Sequence, residues 1–351
     1  MKRLTHLAIL GACFAGLLCL ALFLQPRIVQ AQIDNFTYFV PYAADLLDDQ
    51  FEEGANITQG GLFANPKTII GDDIETNISI AIERDNTIIY YDHWENGLET
   101  NLTSPTQNTG TAATQIWGDN DPTTGVPPAP ASDVALNAGD VIVLNNVITI
   151  PRVQSQTFFD GGDKFLAVGG NVAVALTYWP VHPAALGPSH QIRSLYAGAW
   201  ELNPTGRWGT QYRIPIGENL QNDRSGFDVV GLNVQAAQDN TTVIIDYNGD
   251  GIDSGLPDQT VTLNQGEQFN YIGAKGATVG NVQSGSRVIA DKPVQAQLFA
   301  AQPNQFGTAN GINRFEARAF TLVPFDQWTN DWIAPRSNDG DFWLYNPNGT
   351  A

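Results

Sequence analysis

The chain has 351 residues, 17 basic and 36 acidic, for a net charge of −19. Nucleic acid and anionic lipid are bound through Lys and Arg, so this balance argues against both as partners. The two cysteines, Cys13 and Cys19, share one apolar N-terminal run, which excludes disulfides, thiolate catalysis and cysteine–zinc sites downstream of it.

That run is a targeting segment. Lys2-Arg3 opens it, Leu7–Leu24 carries no charge, and Val29-Gln30-Ala31 is a small-residue cleavage site. Residues 1–31 are therefore expected to be a signal peptide cleaved after Ala31, leaving no membrane segment. The mature chain sets 14 basic against 36 acidic side chains. Such acidity favours solubility and cation binding. Without disulfides it must be held by its core, and roughly 320 residues can bury a sizeable one.

Downstream, Ile78, Ile80 and Ile82 alternate with polar residues, the period of a half-buried strand. Asp85-Asn86-Thr87 then turns the chain into Ile88–Tyr91, so a hairpin is expected. Residues 101–135, rich in Thr, Asn, Pro, Gly and Ala, predict a long surface insertion. Val141–Leu144, Val147–Ile150, Phe165–Val168 and Val172–Leu176 follow as short strands. Leu232, Val234 and Ala236, a turn at Asp239-Asn240, and Val243–Ile245 repeat the first pattern. No sustained 3.6-residue stripe occurs outside the leader, and the expected fold is all-β, in tandem β-sandwich units.

The repetition is detailed. Ile78–Gly97 aligns with Leu232–Gly251 at an offset of 154, and Ala199–Pro215 aligns with Ala319–Pro335 at an offset of 120. Between them, Leu136-Asn137-x-Gly139 answers Leu263-Asn264-x-Gly266, and Val172-x-Val174-x-Leu176 answers Val294-x-Ala296-x-Leu298. Four blocks in one order predict repeated folding units before they predict catalysis. The expected units are residues 32–218, carrying the insertion at 101–135, and residues 219–340, with 341–351 starting a third. Trp208 and Trp328 occupy matched positions and are expected to be buried, whereas Trp94, Trp117 and Trp179 have no matching Trp.

At these blocks the chain resembles a known family. Gly285–Phe299 followed by Ala319–Pro335 looks like the repeated unit of the IgG Fc-binding protein N-terminal domain, and Gly162–Pro180 with Trp200–Pro215 is a second match. Tyr90–Gly97 is similar to a YYDHWEDG stretch of large secreted bacterial proteins. The resemblance implies extracellular repeated β-modules with adhesion-like or binding roles. It does not imply binding to IgG.

Chemistry-bearing residues are sparse. Asp246, Asn248, Asp250 and Asp253 place oxygens at alternating positions with Gly at the bend, as calcium requires; the same residues also build an ordinary turn between strands. Asp92-His93-Trp94-Glu95 could be an acid/base pair or a ligand set, but hydrogen-bonded structural residues suit it better. The unmatched Trp94, Trp117 and Trp179 are the candidates for ligand contact. No phosphate-binding loop and no G-x-S-x-G elbow occurs. The resulting expectation is a secreted or cell-surface, non-catalytic β-repeat protein in adhesion, matrix or envelope structure, with a protein or glycan partner and calcium as the one candidate cofactor. A glycan-binding module and a carbohydrate-active enzyme are the alternatives.

Overall fold

The computed structural model describes residues 35–56, 73–107, 110–121, 134–180, 193–195, 198–219, 229–252, 258–272, 280–303 and 314–328. The leader, the start of the third unit, Asp253, His182 and His190 lie outside the described residues.

The first half supplies strands β1 (Asn35–Phe39), β2 (Ile74–Ile82), β3 (Ile88–Asp92), β4 (Gln115–Trp117), β5 (Val141–Ile148), β6 (Lys164–Val168), β7 (Val172–Pro180), β8 (Arg193–Leu195), β9 (Gly198–Leu202) and β10 (Gly209–Arg213). The second supplies β11 (Val229–Ala236), β12 (Thr241–Asp246), β13 (Gln259–Leu263), β14 (Gln268–Ile272), β15 (Arg287–Pro303) and β16 (Arg314–Thr321). The protein is all-β, built from antiparallel sheets. In β2 the apolar alternation buries Ile74, Ile78, Ile80 and Ile82 on one face. These residues meet Tyr91, Phe165 and Ala167 from β3 and β6, so two four-stranded sheets, ordered β5-β2-β7-β9 and β1-β6-β3-β4, share one core.

The turn after β2 corrects the hairpin expectation. β2 pairs with β5 and β7, whereas β3 pairs with β4 and β6, so Asp85–Thr87 crosses from one sheet to the other. Asn86 takes a left-handed φ of 60° there, and Thr87 Oγ1 donates to the Arg84 carbonyl at 2.8 Å. The second half repeats the device with Asn240 at φ 53° and Thr241 Oγ1 donating to Gln238 at 2.6 Å. Local alternation identifies both strands but not the sheet each one joins.

In the second half one eight-stranded sheet folds over a second core. The 17-residue β15 passes through both layers: its first part pairs with β10 and β12, its later part with β11 and β16. The layers read β10-β15-β12-β13 and β14-β11-β15-β16, the same strand order as the first half, with β8 added in parallel on the outer side of β16. Registers correspond as well. Ile78 faces Leu176 and Leu144, while Leu232 faces Leu298 and Tyr271. β10, which precedes the polar stretch Gly217–Ser225, belongs by hydrogen bonding to the second sandwich.

A helix, α1 (Ala44–Asn56), was not expected from the sequence. Its strong helix formers are interrupted by acids, and it is held chiefly by burial of Ala44, Leu47 and Gln50.

The matched tryptophans differ. Each closes a 3₁₀ turn after a proline, with its Nε1 donating five residues back, Trp208 to Asn203 O at 2.9 Å and Trp328 to Val323 O at 3.1 Å. Trp208 is 6% exposed, packed with Phe39 and Ala237 at the seam between sandwiches. Trp328 is 38% exposed and packs against Phe325 with the rings tilted, so the expectation that it is buried is corrected. Trp208→Ala should therefore cost about 3–5 kcal/mol, and Trp328→Ala about 1 kcal/mol or less, measured by denaturant unfolding.

Candidate functional site

The densest polar chemistry lies where β3 ends beside the start of β6. Their register sets Asp92 opposite Lys164, bringing His93, Trp94 and Glu95 against the turn Asp160–Asp163. The turn needs both glycines: a Cβ at Gly161 would sit 1.9 Å from the Tyr42 carbonyl oxygen, and Gly162 has φ 110° with its Cβ position 2.7 Å from the Trp94 ring.

Asp163 organises the centre. Its Oδ2 accepts from Tyr91 Oη at 2.7 Å and from the Asp160 amide at 3.1 Å, and its Oδ1 accepts from the Trp94 amide at 3.2 Å. His93 Nδ1 lies 2.9 Å from the Phe158 carbonyl oxygen and 3.5 Å from Asp163 Oδ2. Arg152 bridges the remaining acids, with Nε 2.7 Å from Asp160 Oδ2 and Nη2 2.6 Å from Glu95 Oε1. Its guanidinium lies 4.7 Å from the centre of the Trp94 ring, while Trp94 Nε1 donates to Asp160 Oδ1 at 3.1 Å.

This centre is closed to solvent, with His93 1% exposed and Asp160 and Asp163 fully buried. Burial opposes charge on His93, but the charge and hydrogen bond of Asp163, with Glu95 and the Phe158 carbonyl, outweigh it and raise the ring to about 9. Burial, then the charge of Asp163, holds Asp160 above the usual carboxylate range against the pull of Arg152. His93 Nε2 and Glu95 Oε2 have no hydrogen-bond partner. Ligand-capable atoms of His93, Glu95 and Asp163 lie within 4.8 Å of one another. Both Asp163 oxygens are taken by donors, however, and Arg152 already neutralises Glu95, so the donor set suits an ion-pair network better than a metal.

Of the tryptophans proposed for ligand contact, Trp94 is a member of this network. Trp117 is 2% exposed, packed on Tyr91 and Phe159, and offers no face to a ligand. Trp179 is half-buried on β7, with Nε1 donating to Glu75 Oε2 at 3.0 Å. Asp160, Asp163 and Arg152 escaped sequence reasoning because they lie far along the chain from His93. Their one local signal was the Asp-Gly-Gly-Asp turn.

The second polar centre is the turn after β12. Asp246 is buried; its Oδ1 accepts from the Gly249 amide at 2.8 Å and its Oδ2 lies 2.9 Å from Arg287 Nε. Asn248 Oδ1 accepts from the Asp250 amide at 3.1 Å, and its Nδ2 donates to Asp250 Oδ2 at 3.0 Å. Oxygens of Asp246, Asp250 and Asp258 gather within 4.8 Å, so the structure adds Asp258 to the residues read from the sequence.

Residues 198–346 match the family model described as IgGFc binding protein. No curated protein and no solved structure matches the chain. Among the described residues no helix is long and apolar enough to cross a membrane.

The sealed network has a pH signature. Below about pH 6.5 His93 is protonated folded and unfolded, and its pairing contributes in full; between 6.5 and about 9 only the folded state keeps the proton, so stability falls as pH rises. Asp92, raised mainly by burial from 3.8 to about 6, adds a decline across that lower window for the same reason. The melting midpoint should fall from pH 6.5 to 9. His93→Gln should flatten that part of the profile and leave the acidic part in place.

Proposed function

We propose that the protein is exported, loses residues 1–31, and works outside the cell as a non-catalytic tandem β-repeat protein that binds another protein, in an adhesion, matrix or envelope-structural role. The family match across residues 198–346 is the observation that carries this reading. The burial of the acid–base cluster supports it, because His93, Asp160 and Asp163 cannot reach a substrate while the sheets stay packed. The strand-for-strand correspondence of the two sandwiches supports a duplicated module.

Mass spectrometry of exported protein should find Gln32 at the N-terminus, free or cyclised. Residues 32–351 should then bind a protein ligand saturably when screened by surface plasmon resonance against immunoglobulin Fc, extracellular proteins and glycans. Binding confined to glycans would favour a glycan-binding module. Turnover of a glycoside would overturn the non-catalytic reading.

A weak calcium site is the second reading, favoured by the convergence of Asp246, Asp250 and Asp258. The ion would offset the mutual repulsion of these carboxylates, beside the ion pair that Asp246 makes with Arg287. At a calcium concentration a hundred times the dissociation constant, bound ion stabilises by about 2.7 kcal/mol. Calcium should raise the melting midpoint relative to chelator, and Asp258→Asn should abolish the shift. An equal shift in the variant would rule the site out.

A further inference from the structure

β5 is the edge of its sheet, and among the described residues no strand pairs with its outer side. It is paired with β2 without a register break, from Ala81 facing Val141 to Ile74 facing Ile148. Inward it buries Ile142, Leu144 and Ile148; outward it shows water Val141, Val143 and Val147, exposed by 55%, 47% and 46%. It contains no Pro, Lys or Gly and no bulge, so the strand itself carries none of these guards against edge pairing.

The equivalent strand of the second sandwich is treated differently. Register sets β14 in the place of β5, with Gln268 and Asn270 where β5 has Val141 and Val143. Those amides are covered by the chain itself: Gln268 Oε1 accepts from the Ala43 amide at 3.2 Å, and Asn270 bonds Gln50 and the Leu46 carbonyl. One sandwich thus carries amides under a covering segment, and the other carries valines with nothing described over them.

We propose that β5 pairs antiparallel with β5 of a second copy of this chain about a two-fold axis, joining two four-stranded sheets into one of eight. The strand is self-complementary about Leu144. With Leu144 opposite its own copy, Val141 faces Val147 and Val143 faces Asn145, and every outward residue meets an outward residue. Cross-strand valine pairs then leave water together. Charge favours a like partner too. In a chain of net −19, the outward neighbours Ser79, Ala81, Ala173 and Ala175 are neutral, and Glu75 is held by Asn145 and Trp179.

The test is sedimentation equilibrium on residues 32–351, from sub-micromolar to about 100 micromolar, the range that separates a specific dimer from a chance encounter. Wild type should be a dimer, and Val143→Lys should raise its dissociation constant by about tenfold or more. Val153→Lys, at an exposed position off the strand, should leave it unchanged. Because the mature chain has no cysteine, a Val141→Cys/Val147→Cys double variant reads the register directly and should form intermolecular disulfides on mild oxidation. A monomer throughout the range, or a dimer indifferent to Val143→Lys that gives no crosslink, would overturn the proposal.

Discussion

The structure depends on a layer of buried amides that joins the two sandwiches. β1 ends at Phe39, whose carbonyl lies inside the protein, where an unmet acceptor costs about 1–3 kcal/mol, while the Val40 carbonyl already accepts from the Gly162 amide at 2.9 Å. Gln295 Nε2 donates to Phe39 O at 3.2 Å and Gln235 Nε2 to Val40 O at 3.2 Å. Gln295 also meets Gln235 Oε1 at 2.5 Å, and Gln297 Nε2 donates to Gln295 Oε1 at 3.2 Å. Each amide belongs to β11 or β15, so these side chains tie the end of β1 to the second sandwich. An apolar seam would tolerate sliding; a hydrogen-bonded one selects a single placement.

The same economy governs the charged residues. The two buried ionic centres, around Asp163 and around Asp246, each sit at the end of a strand, β3 and β12, where a turn leaves amides without ladder partners. Carboxylates collect those amides, and an arginine from a neighbouring segment, Arg152 or Arg287, offsets the charge. Desolvation makes such pairs weak sources of net stability, but removing one partner strands the other in the interior. The centres behave as locks on turns, in keeping with a scaffold that presents surfaces to a partner.

Much of this was legible in the sequence because period-two alternation is local. Ile78, Ile80 and Ile82, and Leu232, Val234 and Ala236, identified strands whose inward faces are those observed. The matched blocks recur as equivalent pairings, Ile78 with Leu176 and Leu232 with Leu298, since equal spacing gives equal pairing when the strand order is the same. What local pattern does not carry is partner choice. It read β2 and β3 as a hairpin, and Trp328 as buried because Trp208 aligned with it, although Trp208 owes its burial to Phe39 and Ala237 from outside the motif. The helix at Ala44–Asn56 was missed because its acids break the stripe, and the His93 network because Arg152, Asp160 and Asp163 converge only after β6 docks on β3.

The place of β10 has a consequence for how such a chain can be cut and rejoined. Only six residues separate β9, in the first sandwich, from β10, in the second, and β1 holds in the first sandwich the position that β10 holds in the second. The sequence period and the structural period are therefore out of phase by one strand. A break in the polar stretch at Gly217–Ser225, where sequence alone suggests a boundary, would separate the second sandwich from β10 and lay open one side of β15. A breakpoint ahead of Gly209 instead keeps β10 with β15, although β8 then lies on the other side of the cut from its partner β16.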